Sequence, residues 1–285
     1  MRSGQGGEIQ VDPRLKAGAG TDGPASRQRD PMLQRSAILD SGATIAVVVA
    51  ILAAMEIASQ FLPDYIMPSP AVVFDAIWRL AFTNYNDVLI TLARLAAAMS
   101  LSMVVGILLG LIMGSSAIAR PFIRALVIID TGIPALSWIL LAIFWFKDPE
   151  IRIFFVLVVI LVPFYALNIY DGIRALPKDL LDMIESFRPS QWQTLRYLII
   201  PHIVPYILMT TKSVIGYATR MVIFAELVAS AVGIGAQMGL SQSTFHIEDV
   251  FAWTFFLVVL NIALQFVVTG VERVTLKWRP EASVR

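Results

Sequence analysis

The 285 residues are 57% hydrophobic and 15% charged, with 22 basic and 21 acidic side chains, a formal net charge of +1, two histidines and no cysteine. An ordinary soluble domain carries about a quarter charged residues, so a chain this poor in charge, with a mean hydropathy of +0.73, points to a membrane. The lack of cysteine excludes a disulfide scaffold and thiolate-ligated zinc or iron–sulfur sites. His202 and His246, 44 positions apart, leave little for a metal centre.

Residues 1–35 are dominated by Gly, Pro, Ser, Asp and Arg. They contain no apolar run long enough to fold or insert, and are expected to form a disordered cytoplasmic tail. They also lack the short apolar core and small-residue cleavage site of a signal peptide, so removal is not expected. Residues 36–285 are expected to form one transmembrane domain. A crossing helix needs about 20 apolar residues, and six stretches qualify: 43–62, 88–113, 122–146, 152–169, 203–232 and 250–274. The sequence thus predicts an all-α integral membrane protein with six transmembrane helices. The third and fourth are separated by Lys147-Asp148-Pro149-Glu150-Ile151, a charged turn that makes them a helical hairpin.

Orientation follows from the loops, because Lys and Arg are retained on the cytoplasmic side. One side holds Arg2, Arg14, Lys16, Arg27, Arg29, Arg35, Arg120, Arg124, Arg174, Lys178, Arg188, Arg196, Arg273, Lys277, Arg279 and Arg285; the other holds Arg79, Lys147 and Arg152. Both termini are therefore expected in the cytoplasm.

The long cytoplasmic loop, 171–200, specifies structure of its own. Pro177 suits a first helical turn, Asp179 and Asp182 suit the positive end of a helix dipole, and Leu180, Ile184 and Phe187 recur on one face. Pro189 biases Arg188 away from helical geometry, and Ser190 with Gln193 three residues later reads as a capping box opening a second helix. The result is a helix–turn–helix whose apolar stripe docks either on a partner or on the membrane surface.

Other residues read more simply. Gly106, Gly110 and Gly114 form two GxxxG steps that let another helix approach the second span. Gly233 and Gly235 read as a turn closing the fifth span, His202 as an interfacial residue, and the six tryptophans mostly as an aromatic belt. Charges inside spans are costly and mark partners or aqueous paths; away from the span ends these are Glu56, Arg94, Asp130, Lys212, Arg220 and Glu226. Lys212 and Glu226 lie about 21 Å apart along one helix and cannot pair within it.

From Thr91 to Arg279 the chain resembles the membrane permease subunit of a bacterial ABC importer, in the branch serving nitrate, sulfonate, taurine, bicarbonate and similar small solutes. The resemblance is carried by Met67-Pro68-Ser69-Pro70, Thr91-Leu92-Ala93-Arg94, the Gly106/Gly110/Gly114 spacing, Ile133-Pro134 through Trp145-Phe146, Ala225-Glu226-Leu227, Gly233-Ile234-Gly235, and above all 179–205 with Ser190-Gln191-Trp192-Gln193 and Ile200-Pro201. Asp182-Met183-Ile184 and Arg188 stand where the family has Glu-Ala-Ala and a glycine. The bulkier Met and Ile are expected to hold the helix further from an ATPase groove, and Arg188 enters left-handed geometry at greater cost than glycine.

The resemblance implies a non-enzymatic permease of the bacterial inner membrane working by alternating access, partnered by an ABC ATPase dimer, an identical second permease chain and an extracytoplasmic solute-binding protein. The chain has no GxxxxGK[ST] loop, so ATP is expected on a separate subunit and no cofactor on this chain. Coupling is expected through Asp179, Leu180, Asp182, Met183, Ile184, Phe187, Arg188, Ser190 and Trp192. Arg94, Arg220 and Glu226 are candidates for the translocation path. Arg220, midway along the fifth span, either faces the path and favours an anionic solute or pairs with an acid on another span such as Asp130 or Glu226. No nucleic acid is expected as partner; lipid is. A secondary carrier, the main rival, often shows paired repeats with interrupted helices, and none is found; a membrane enzyme would need HExxH or clustered carboxylates, which are absent.

Overall fold

The computed structural model describes residues 31–63 and 65–276, with side chains from Gly42 onward. The expected tail therefore lies almost wholly outside the described residues, as do the charges counted beyond Leu276. All regular structure among the described residues is helical: α1 (Pro31–Ser59), α2 (Pro70–Thr83), α3 (Tyr85–Ser115), α4 (Ala119–Gly132), α5 (Ala135–Trp145), α6 (Pro149–Arg174), α7 (Lys178–Ser186), α8 (Gln191–Thr194), α9 (Ile200–Ala229), α10 (Ile234–Ser243) and α11 (Ile247–Thr275). The chain divides into two units, Met1–Ala54 and Met55–Arg285. The first contains most of α1, an apolar helix whose 42–59 stretch is long enough to cross a bilayer. Among the described residues, five helices are long and apolar enough to span, or six when α4 and α5 count as one.

The second unit is built around α6, which packs along α3 and α9. Lipid tails are as apolar as leucine, so helices in a membrane associate through close packing rather than hydrophobic expulsion. The glycine ladder supplies it. A Cβ added to Gly106 would fall 2.3 Å from Tyr165 Cβ, at Gly110 2.7 Å from Ile169 Cβ, and at Gly114 2.8 Å from Ile173 Cδ1. The partners advance in register, so α3 and α6 run parallel. Gly172 meets Tyr206 and Tyr165 meets Thr211, so α9 returns antiparallel. The core holds Leu95, Ile153, Leu157, Leu161, Tyr165 and Val214. Trp253 on α11 is buried there too, not set in an interfacial belt: its ring packs on Phe256 at 5.6 Å.

Three details depart from the sequence expectation. The third span is not one helix: α4 and α5 meet at 96°. Gly132 ends α4, Ile133 is extended (φ −86°, ψ 124°) as a residue before proline must be, and Pro134 caps α5 without an N–H to continue the ladder. The expected hairpin is therefore α5 with α6, joined by a turn in which Asp148 accepts from the Glu150 and Ile151 N–H groups at 2.7 and 3.4 Å and Pro149 opens the helix. Second, the short helix after Ser190 continues into the fifth span: α8 passes through a π turn, Leu195–Ile199, into α9. Pro201 lacks an N–H and would clash with the Tyr197 carbonyl in a regular α-helix; the wider turn relieves this. Third, two helices, α2 and α10, were not expected. α2 packs on α11 and ties to it through an Arg79–Asp249 ion pair.

Candidate functional site

The residues expected along the translocation path or in coupling separate into three places. The first is the end of α9 remote from α7. Glu226 is wholly enclosed, 0% exposed, and Arg94 is 7% exposed. They face each other: Arg94 Nη1 donates to Glu226 Oε1 at 2.8 Å and to the Val232 carbonyl at 2.9 Å. The other side of the guanidinium grips Glu150, with Nε donating to Oε2 at 2.7 Å and Nη2 to Oε1. The Thr91 hydroxyl donates to the Glu226 carboxylate at 2.9 Å and accepts from the Ile234 N–H at 3.0 Å. The Gly235 N–H donates to Glu226 Oε2 at 2.9 Å, and the Gly233 N–H to Asp87 Oδ1 at 2.7 Å.

This network fixes the turn between α9 and α10 against α3 and the α5–α6 turn. Gly233 has φ +107°, the left-handed side that glycine reaches cheaply, and a Cβ there would lie 2.5 Å from the Glu226 carboxyl. Gly235 has no room either: its Cβ would fall 2.3 Å from the Ile223 carbonyl. Arg94 and Glu226 were expected along a translocation path. Here they are enclosed and paired, and with Glu150 they hold four segments together. Asp87, Thr91 and Glu150 complete the network and were not singled out.

The second place is the middle of α9. Arg220 is exposed and makes no ion pair or hydrogen bond among the described residues, so neither Asp130 nor Glu226 is its partner. It lines a groove of about 480 Å³ between α9 and α11, with Thr219, Thr254, Asn261 and Gln265 as the other polar groups. Lys212, about two turns towards the α8 end, pairs with Glu272 on α11.

The third place is the 177–199 loop. Pro177 caps α7, and Ser190 forms the expected capping box: Gln193 N–H donates to its Oγ at 3.3 Å while Gln193 Oε1 accepts from Ser190 N–H at 2.7 Å. Arg188 takes φ +49°, the geometry that glycine would take there, so the turn is made at a cost of about 1–2 kcal/mol. No residue of α7 or α8 is buried. Leu180, Met183, Phe187 and Trp192 are exposed, Phe187 to 80%. His202, at the start of α9, is bound through Nε2 to the Gly172 carbonyl at 3.1 Å, so it fastens α9 to α6.

A family model described as "binding-protein-dependent transport system inner membrane component" matches residues 102–276, from α3 through the loop to the end of α11. The chain belongs to this family. Its members are the permease components of ABC importers, which work with an ATPase and a substrate-binding protein. The nitrate import permease protein NrtB of Synechocystis sp. is 26% identical over 59% of this chain and 66% of its own length. The riboflavin transport system permease protein RibX of Chloroflexus aurantiacus is 27% identical over 76% and 81%. The taurine transport system permease protein TauC of Escherichia coli is 22% identical over 78% and 83%. In fold the chain is similar to a structure of the inward-facing MetNI methionine ABC transporter, with a TM-score of 0.55 at 17% identity, covering 69% of this chain and 98% of that one.

Proposed function

We propose that this importer permease forms the translocation path for a small, anionic solute such as a sulfonate, nitrate or bicarbonate and is driven by a separate ATPase bound at 179–193. The observation that carries the reading is the exposed apolar surface of α7 and α8. A helix with Leu180, Met183 and Phe187 uncovered, followed within a few residues by Trp192, presents an apolar surface that a docked ATPase would cover. The lever is stiff: the Ser190 capping box starts a helix that runs unbroken from Gln191 to Ala229, so displacement of the loop moves the whole fifth span. Asp179, Asp182, Ile184 and Arg188 complete the docking surface, with the positive φ at Arg188 setting the angle between α7 and α8. The second permease is an identical chain, both termini are cytoplasmic, and an extracytoplasmic binding protein delivers the solute. Arg220 supports the anionic solute, since a guanidinium free of partners inside a span is an anion site by its chemistry.

The test is transport into proteoliposomes carrying the assembled complex. Phe187→Ala with Trp192→Ala is expected to uncouple ATP hydrolysis from uptake, and Arg220→Gln to abolish uptake while ATPase binding and yield stay at the native level. Loss of folded protein from Arg220→Gln would return that residue to a structural role.

A further inference from the structure

The end of the bundle that carries the 177–199 loop holds a set of charges that nothing above uses. Tyr170, near the end of α6, is 5% exposed and packs in a cluster with Met113 of α3 and Val127 of α4. Two guanidinium carbons sit over its ring, that of Arg120 on α4 at 5.7 Å from the centre and that of Arg174 on α6 at 5.8 Å. A tyrosine face attracts a cation without neutralising it. Among the described residues no carboxylate forms an ion pair with Arg120 or Arg174, nor with Arg124 one turn further along α4. Asp171, the acid nearest to Arg174 in sequence, is exposed and unpaired. Arg120 uses only its Nε, which donates to the Met113 carbonyl at 2.9 Å. Its two Nη groups, every donor of Arg174 and the Tyr170 hydroxyl make no hydrogen bond among the described residues. Guanidinium groups held in this way match the oxygens of a phosphate.

The seam between α4 and α6 continues from this set into an apolar groove of about 330 Å³. Leu109, Leu126, Ile133, Val159 and Val162 wall it, and Asp130 is the one charged residue among its walls. Val162 stands eight residues before Tyr170, about 12 Å along the helix. The polar layer on each side of a bilayer is about 5–8 Å thick, so with the arginines at phosphate depth the groove lies at acyl-chain depth.

We propose that Arg120, Arg174 and Tyr170 bind the phosphodiester of an anionic phospholipid, one of whose acyl chains lies in the α4–α6 groove. A phosphate free in solution offers the same oxygens but leaves the groove uncovered. Basic pockets between spans on the cytoplasmic side hold lipid headgroups, and the basic residues of the sequence assign this end to the cytoplasm. Bound there, the lipid ties the first half of the broken span to the central helix.

The experiment is native mass spectrometry of the purified full-length chain in detergent, titrated with three probes. Dioleoyl phosphatidylglycerol is the anionic lipid, dioleoyl phosphatidylcholine has the same chains and phosphate with a compensating cation, and glycerol phosphate has no chains. One phosphatidylglycerol is expected to bind about tenfold or more tighter than phosphatidylcholine, and excess glycerol phosphate is expected not to displace it. Arg120→Gln with Arg174→Gln is expected to remove the preference. Arg174→Gln alone, at an exposed position, is expected to weaken binding about fivefold and carries the test should the pair fail to fold. Arg273→Gln, which deletes the same charge from the last turn of α11 at the same end, is expected to bind as the native chain does. Equal affinity for the two lipids would overturn the proposal, and so would an equal loss from Arg273→Gln, the mark of a diffuse surface charge. Displacement by glycerol phosphate would overturn it in favour of a soluble phosphate.

Discussion

Two polar regions lie within the helices of this permease, and they are built on opposite terms. Around Glu226 the charges and the Gly233, Ile234 and Gly235 amides find partners: Arg94 bridges Glu226 and Glu150, Thr91 bridges Glu226 and Ile234, Asp87 receives Gly233 and Glu226 receives Gly235. Around Asp130 an enclosed carboxylate oxygen and an enclosed indole N–H remain without partners. A closed network of this kind specifies one arrangement of α3, α6, α9 and α10. An open set leaves a carboxylate and an N–H that can pair with each other at a helix break, where the backbone can also rearrange. The lesson is that a charge inside a span is informative only with its partners in view.

The contrast is sharpest in stability. Glu226→Ala leaves the buried donors of Thr91, Gly235 and Arg94 Nη1 without their shared acceptor, while Glu150 still pairs with Arg94, and is expected to cost about 1–3 kcal/mol, read as a fall in the detergent melting temperature. Asp130→Asn removes an uncompensated charge and is expected to leave that temperature unchanged or higher. Equal losses from the two would erase the distinction. Of similar size, Gly106→Val forces side-chain volume into the α3–α6 contact and is expected to cost about 1–3 kcal/mol, whereas Gly132→Ala, where an added Cβ meets nothing within 4 Å, should be tolerated. Smallest is Arg188→Gly, which relieves left-handed backbone strain and should stabilise the loop by at most about 1–2 kcal/mol; limited proteolysis at 177–199 would report it as slower cleavage.

Much of this was legible in the sequence because it depends on local rules. Apolar length gave the spans, Ser190 with Gln193 gave the cap that starts the α8–α9 helix, and the three glycines gave the face that α6 packs against. What escaped depends on geometry that spacing does not encode. Arg94 and Glu226 were each singled out, yet 132 residues separate them, and nothing in either segment says that they meet. Ile133-Pro134 was visible, but apolarity runs unbroken through it, so a hydropathy count sees one helix where the missing N–H and the extended residue before it make a right-angle turn. The π turn at Leu195–Ile199 likewise reconciles Pro201 with a continuous helix, a solution that propensity alone does not suggest. The positive φ of Arg188 is a geometry that glycine reaches more cheaply.

Coupling through the exposed loop is the central claim, and mild-detergent purification of the tagged chain from its own host tests it most directly, with ATP hydrolysis measured on what is recovered. The predicted result is a stoichiometric ATPase subunit bound to the native chain and lost when residues 179–193 are scrambled, with the scrambled chain still folded. A folded, dimeric native chain recovered without ATPase, or an ATPase that stays bound to the scrambled chain, would contradict it.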